Sequence, residues 1–410
     1  MSSGVALSQD FRRLWAAYAI SAFGSGIGYG ALPLVALLVL DVSTFQVSLL
    51  AALSAVVGAV LALPMGDFIE QRRKRPVMVA ADVVRFLALL SVPVAAVLDL
   101  LTYPQLCIVG VIQAAALIAF TAASGAHLKA LVPVAGRAEA NSRFESTAWT
   151  AMSVGPPIGG GLVSLVGAPL TLVLDAVSYL LSAVGVRRIR EPEAAPEPRQ
   201  GKRDVTAGWR YIWRHQGLRA LFWNSQLFGG PVMMVSPLLP VLMLRELDMD
   251  PWQYGLVAGV PCLGGVLGAW FAPRLTLRLG LHRMLLLFGV LRTPWLLLLP
   301  LATPGLDGFV LLIVAETCLL VAAGAFNPSF ATYRMNVTDD GFMARVITSW
   351  SITSRSVQPA FMAAGGVLAA LTSIRTAMVI AGGLCLVSAF VLPWKSARCD
   401  VQEGCPVLRR

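Results

Sequence analysis

Residues 66–76 read GDFIEQRRKRP. An acid, Glu70, precedes four consecutive bases, Arg72, Arg73, Lys74 and Arg75, and the run closes on Pro76. In a water-soluble chain such a run suggests a nucleic-acid patch or an import signal. The setting argues otherwise, because a long apolar stretch lies on each side. The 410-residue chain is 57% hydrophobic and only 13% charged, with a mean hydropathy of +0.73. A soluble domain carries about 25% charged residues. Too few charges remain to cover a water-exposed surface, and the solvent implied is lipid.

A spanning helix needs about 20 mostly apolar residues. Working outward from the basic run, twelve candidates lie near 12–40, 45–69, 76–98, 104–127, 142–166, 169–187, 218–244, 252–274, 283–302, 307–329, 346–370 and 373–394. The first is too long for the apolar region of a cleaved signal and reads as a membrane helix. Connections are short except at 188–217. There a Pro-, Glu- and Arg-rich half reads as a solvated linker. Its second half sets Trp209, Ile212 and Trp213 on one helical face and Arg210 and Arg214 on another, the pattern of a helix lying on a membrane surface. The expected organisation is a six-helix bundle at 1–187, a linker at 188–217, a second bundle at 218–394 and a tail at 395–410.

Charge fixes the orientation. With the N-terminus cytoplasmic, inner segments hold 27 of the 32 Lys and Arg residues; Arg85, Arg292 and Arg355 fall within spans, and Arg245 and Arg375 outside. Cytoplasmic loops carry the excess of Lys and Arg, so both termini are expected in the cytoplasm. The net charge of +10 is then a topology signal. Nucleic acid is not an expected partner, whereas anionic membrane lipid is.

Metal and nucleotide chemistry find no support. Cys107, Cys262, Cys318 and Cys385 lie in apolar runs, Cys399 and Cys405 have no zinc spacing, and His127, His215 and His282 are scattered. Gly26-Ile-Gly-Tyr-Gly-Ala31 matches a dinucleotide fingerprint but sits inside an apolar span, where Gly26 and Gly30 read as a small-residue packing face. Gly201-Lys202 lacks the rest of a P-loop. No cofactor, metal or catalytic residue is expected, and no enzyme activity.

The halves repeat at a constant offset of 207. Pro33 matches Pro240, Asp41 Asp248, Gln46 Gln253, Gly58 Gly265, Ala62 Ala269, and Arg85 Arg292. Parallel repeats of this kind build transporters whose substrate site lies where the repeats meet.

The opening stretch joins the second and third spans on the cytoplasmic side. There Gly66, Glu70, Lys74 and Arg75 resemble the loop signature of the major facilitator superfamily, with Glu in place of the usual Asp and Gln71 in place of an Arg. The resemblance implies a conformational latch. Gly155-Pro156-Pro-Ile-Gly159-Gly160 resembles the kinked motif of the superfamily's antiporters, and implies export in exchange for an ion. Asp175-Ala-Val-Ser-Tyr-Leu-Leu-Ser, the 208–221 stretch and Ala80-Ala-Asp82-Val-Val-Arg85 resemble the branch of enterobactin-type siderophore and macrolide exporters. The implied fold is all-α, with twelve transmembrane helices in two parallel six-helix repeats.

The fourth span lacks the buried Arg that many of the superfamily's proton antiporters carry. Ionisable residues within membrane helices are functional candidates by default. They are Glu316, Arg292, Arg355, Asp82, Arg85 and Asp175. Glu316 reads either as a titrating carboxyl or as a static partner of Arg292 or Arg355, and Asp82 and Arg85 as a structural pair. Aromatic candidates for a substrate cavity are Tyr29, Trp149, Trp223, Phe228, Phe326 and Trp350.

The expected protein is a monomeric exporter of drugs, siderophores or other secondary metabolites in a bacterial plasma membrane, driven by protons and conferring antibiotic resistance. The alternatives are an uptake permease or uniporter of the same fold, and a receptor or assembly partner that transports nothing.

Overall fold

The computed structural model describes residues 8–70, 72–133, 136–190 and 206–394, with the side chains of 62–70, 138, 340, 341 and 344 outside the description. Every described element is helical. In order they are α1 (Gln9–Ile27), α2 (Ala31–Leu38), α3 (Thr44–Glu70), α4 (Lys74–Val97), α5 (Tyr103–Leu131), α6 (Arg137–Val166), α7 (Ala168–Arg187), α8 (Ala207–Arg214), α9 (Gln216–Val235), α10 (Leu239–Val241), α11 (Pro251–Leu279), α12 (Leu281–Leu291), α13 (Leu306–Val337), α14 (Asp340–Leu371) and α15 (Ile374–Phe390). Each of the twelve expected spans coincides with one helix or with a run of consecutive helices.

Nine of these segments are long and apolar enough to cross a membrane among the described residues. α15 is apolar but shorter, at 17 residues. α6 and α14 are long enough, at 30 and 32 residues, but Ser, Thr and Gly dilute their hydropathy. Large apolar side chains such as Leu87, Leu117, Leu174 and Val314 stand exposed along the spans, as lipid-facing residues do.

Two compact units result: residues 1–201 with 239–260, and 202–238 with 261–410. In the first, Phe11 and Leu14 of α1 pack with Met78 of α4 and Phe120 of α5. In the second, Ile212 of α8 is buried with Leu221 and Phe222 of α9, Phe326 of α13 and Trp350 of α14. The surface helix is therefore docked on protein. Its Trp209 Nε1 donates to Thr353 Oγ1 (3.0 Å), and its Tyr211 hydroxyl donates to the Val337 carbonyl (3.1 Å).

The 207-residue repeat reappears as identical backbone geometry. Leu40 N–H bonds the carbonyl of Val35, and Leu247 that of Leu242; Val42 N–H bonds Ala36, and Met249 bonds Met243. These over-long turns unwind the helix, and the second is a π-turn at Leu242–Glu246. Asp41 (φ 45°) and Asp248 (φ 52°) then take the left-handed conformation, which short polar side chains tolerate. Gln46 and Gln253 close the motif by accepting from the N–H of Ser43 and Asp250, each at 2.8 Å. Arg245 Nη2 also donates to Asp41 Oδ1 at 2.6 Å.

Gly30 departs from the expected packing face. It adopts φ 76° and ends the break between α1 and α2, while Gly26 alone packs on α6.

Candidate functional site

Each unit buries one arginine of the repeat pair, and each arginine donates to neutral groups with no ion pair to a carboxylate among the described residues. In the first unit Arg85, on α4, is 5% exposed. Its guanidinium lies 3.7 Å from the Tyr179 ring centroid and donates to the Tyr179 hydroxyl at 2.6 Å. Nε donates to Gln113 Oε1 (3.1 Å), and Gln113 Nε2 donates back to the Arg85 carbonyl (2.9 Å). The Tyr179 hydroxyl donates to Asp175 Oδ2 at 3.3 Å and meets Ser25 Oγ at 2.8 Å. α1, α4, α5 and α7 thus converge on one polar knot. A Cβ at Gly28, the C-cap of α1, would lie 2.5 Å from Asp175 Oδ2, so the backbone approaches that carboxyl closely there.

The acids of this unit are less satisfied than its base. Among the described residues Asp175 Oδ1 is buried with no hydrogen-bond partner, and so are both carboxylate oxygens of fully buried Asp82. Asp82 and Arg85 share α4 but form no ion pair: the guanidinium turns to α5 and α7 instead.

In the second unit the ninth span breaks at the site. α12 ends at Leu291, Arg292 caps it, and Pro294 begins two short 3₁₀ turns, at Trp295–Leu297 and Leu299–Leu301. Proline lacks the N–H needed to continue the helix. A cation at a helix C-terminus is favoured by the dipole. The Arg292 guanidinium is held between the rings of Phe228 (3.9 Å) and Phe326 (3.7 Å). Nη2 donates to Asn224 Oδ1 at 2.6 Å, and Asn224 Nδ2 donates to the Ser388 carbonyl at 2.7 Å. Glu316 lies on α13, half-buried, with no ion pair to Arg292 or Arg355 among the described residues. Arg355 is exposed on α14 and bonds no described residue. The static Glu316–Arg pair is thus absent from this conformation.

The other expected residues divide clearly. In the loop, Lys74 Nζ donates to the Arg72 carbonyl (2.6 Å) and Arg75 to the Ile189 carbonyl. Gly66 and Glu70 belong to the undescribed side chains of α3, and Gln71 lies outside the described residues. In α6, Gly155 abuts Gly26, and a Cβ at Gly159 would collide with the Ile27 carbonyl. Gly160 and Pro156 meet Pro251 and Gly255 of α11. Of the aromatics, Phe326 and Trp350 are buried, with the Trp350 Nε1 donating to Ser225 Oγ at 2.8 Å. Trp223 stacks on Trp213. Tyr29 and Trp149 are exposed, and Trp149 donates to Glu145 at 2.9 Å. Sequence reasoning passed over Tyr179, Gln113 and Asn224. The buried amide of Asn224 inside an apolar span was the available signal.

The model of the Major Facilitator Superfamily matches residues 14–362 and, again, 233–401. The chain belongs to the Major Facilitator Superfamily. No curated protein sequence matches it. Solved major facilitator structures share its fold at low identity. A bacterial homologue of the iron transporter ferroportin, in an inward-facing state, is 16% identical with TM-score 0.74, covering 94% of this chain and 98% of its own. The nucleoside transporter NupG is 14% identical with TM-score 0.69, covering 93% and 98%. A POT family transporter complexed with a thioalcohol-conjugated peptide is 12% identical with TM-score 0.72, covering 93% and 94%. Such identities speak for the fold alone. This is a multi-pass membrane protein of transporter architecture, and not an enzyme.

Proposed function

We propose that this major facilitator protein is a secondary active exporter of small organic compounds, working by alternating access against inward proton flow. One observation carries the coupling: the buried arginines donate to neutral groups, and among the described residues none of the membrane-embedded acids Asp82, Asp175 and Glu316 forms an ion pair. A carboxyl without a cationic partner binds and releases a proton as its surroundings change, whereas a tightly paired one stays ionised. Glu316 is the proposed carrier, with Asp175 as a second titrating site. The stretch Gly155-Pro156-Pro157-Ile158-Gly159-Gly160 of α6 supports export, through its resemblance to the antiporter motif. Gly66, Glu70, Lys74 and Arg75 are proposed as the latch, and exposed Tyr29 and Trp149 as the aromatic groups open to substrate. The likeness to siderophore and macrolide exporters makes erythromycin and a catecholate siderophore the first compounds to try. The proposed setting is the bacterial plasma membrane, with both ends cytoplasmic and the protein a monomer.

Counterflow of labelled erythromycin or siderophore in proteoliposomes separates carriage from mere binding. Carriage in which Glu316→Gln still exchanges substrate but ignores a pH gradient supports the proposal. Binding without counterflow makes the protein a receptor, and substrate uptake by intact cells makes it a permease.

A further inference from the structure

The start of α4 is flanked by two grooves that the transport reading leaves unused. One, of about 660 Å³, runs between α4 and α5, over Arg72, Arg73, Pro76, Ala80, Val84 and Ala115. The other, of about 770 Å³, lies on the opposite flank and holds Arg73, Arg75, Val79, Val83 and Arg187. They share Arg73, Pro76 and Ala80. Both carry guanidinium groups at one end and small apolar side chains along the rest. Neither is lined by an acid among the described residues.

The dimensions match one leaflet. From Arg73 to Val84 the helix rises ~16 Å, about half the ~30 Å hydrocarbon core. The exposed Arg73 is the N-cap of α4 and makes no side-chain cap, so the first-turn N–H groups face outward beside it. It has no hydrogen bond or ion pair among the described residues. Val84 is 46% exposed, so the first groove opens on the lipid-facing surface.

We infer that these grooves hold one anionic phospholipid of the cytoplasmic leaflet, its phosphate between Arg72 and Arg73 and an acyl chain on each side of α4. Basic groups at the membrane surface attract anionic headgroups, and the apolar floors replace the neighbouring chains. A lipid seated there braces the segment that carries Lys74 and Arg75. The inference rests on the orientation read from charge and is independent of what the protein transports.

Native mass spectrometry of protein released from nanodiscs of equal phosphatidylglycerol and phosphatidylcholine tests it. Wild type should retain phosphatidylglycerol preferentially. Arg72→Gln and Arg73→Gln should each lower that preference about fivefold, the equivalent of ~1 kcal/mol. Ala80→Trp, which fills the shared wall and keeps both arginines, should lower retention of the bound lipid. Arg278→Gln with Arg283→Gln, elsewhere on the cytoplasmic side, should change nothing. A photoreactive phosphatidylglycerol should crosslink wild type within 72–84 or 112–119. Equal retention of the two lipids, unchanged preference without the arginines, displacement by inorganic phosphate, or crosslinks elsewhere would overturn the inference. The crosslink needs no variant to fold.

Discussion

Arg85 and Arg292 show what one residue can impose on a membrane protein. A guanidinium in an apolar span is costly unless its donors are met. Here the answer is an aromatic face plus neutral acceptors: Tyr179 and Gln113 for Arg85, Asn224 for Arg292. Replacing Asn224 with Ala removes that acceptor, and Nε of Arg292 already has none. A hydrogen bond to a charged group contributes about 1.5–3 kcal/mol, so Asn224→Ala should clearly lower the thermal midpoint of the purified protein. Tyr179→Phe keeps the ring under Arg85 and removes only the hydroxyl, so a smaller loss is expected in the same measurement. The arginines were legible in the sequence as a pair, because they share the 207-residue register. Their partners were not. A hydrophobic pattern shows which residues are out of place in lipid, but not which neighbouring helix supplies their acceptor. The expected Asp82–Arg85 pair failed for that reason: helical spacing placed the two residues together, while Tyr179 and Gln113 offered better geometry.

At the scale of elements, the helices that coincide with the expected spans could be read from apolar runs alone, but the breaks inside them could not. The π-turn at Leu242–Glu246 and the 3₁₀ turns after Arg292 leave hydrophobicity nearly unchanged, so composition does not report them. The repeated outer turn gives a direct check on one such break. Asp248→Gly should be tolerated, because glycine favours its left-handed backbone, whereas Asp248→Val should cost about 1–2 kcal/mol. Urea or thermal unfolding of the two variants distinguishes these outcomes. The α1–α6 seam offers a second check. Gly159→Val forces a branched side chain against the α1 backbone, and overpacking of this kind costs typically about 1–3 kcal/mol. Val154, on the same helix but 43% exposed, should accept Leu with no measurable change in midpoint or yield. The tightness of that seam accounts for Gly155 and Gly159 of α6 physically, whatever further part they play in directing transport.

At the scale of the whole molecule, the basic run at 72–75 is a topology element before it is anything else. It belongs to a set of 27 Lys and Arg residues that the charge pattern assigns to the cytoplasmic side, and that assignment predicts the sidedness of every loop. An impermeant maleimide applied to intact cells should label Asp307→Cys, at the outer start of α13. It should leave Cys399 and Cys405 unlabelled until the membrane is opened. Labelling of the tail in intact cells would reverse the orientation, and with it the leaflet assigned to the grooves beside α4.

The central claim is that a membrane-embedded carboxyl, Glu316, with no ion pair among the described residues, couples this fold to protons. The most direct measurement is erythromycin movement in proteoliposomes under an imposed pH gradient, with wild type and Glu316→Gln side by side. The account predicts that wild type accumulates erythromycin against its gradient, while the variant exchanges it at equilibrium without accumulation. Carriage by wild type that takes no account of the pH gradient, or full accumulation by the variant, would contradict it.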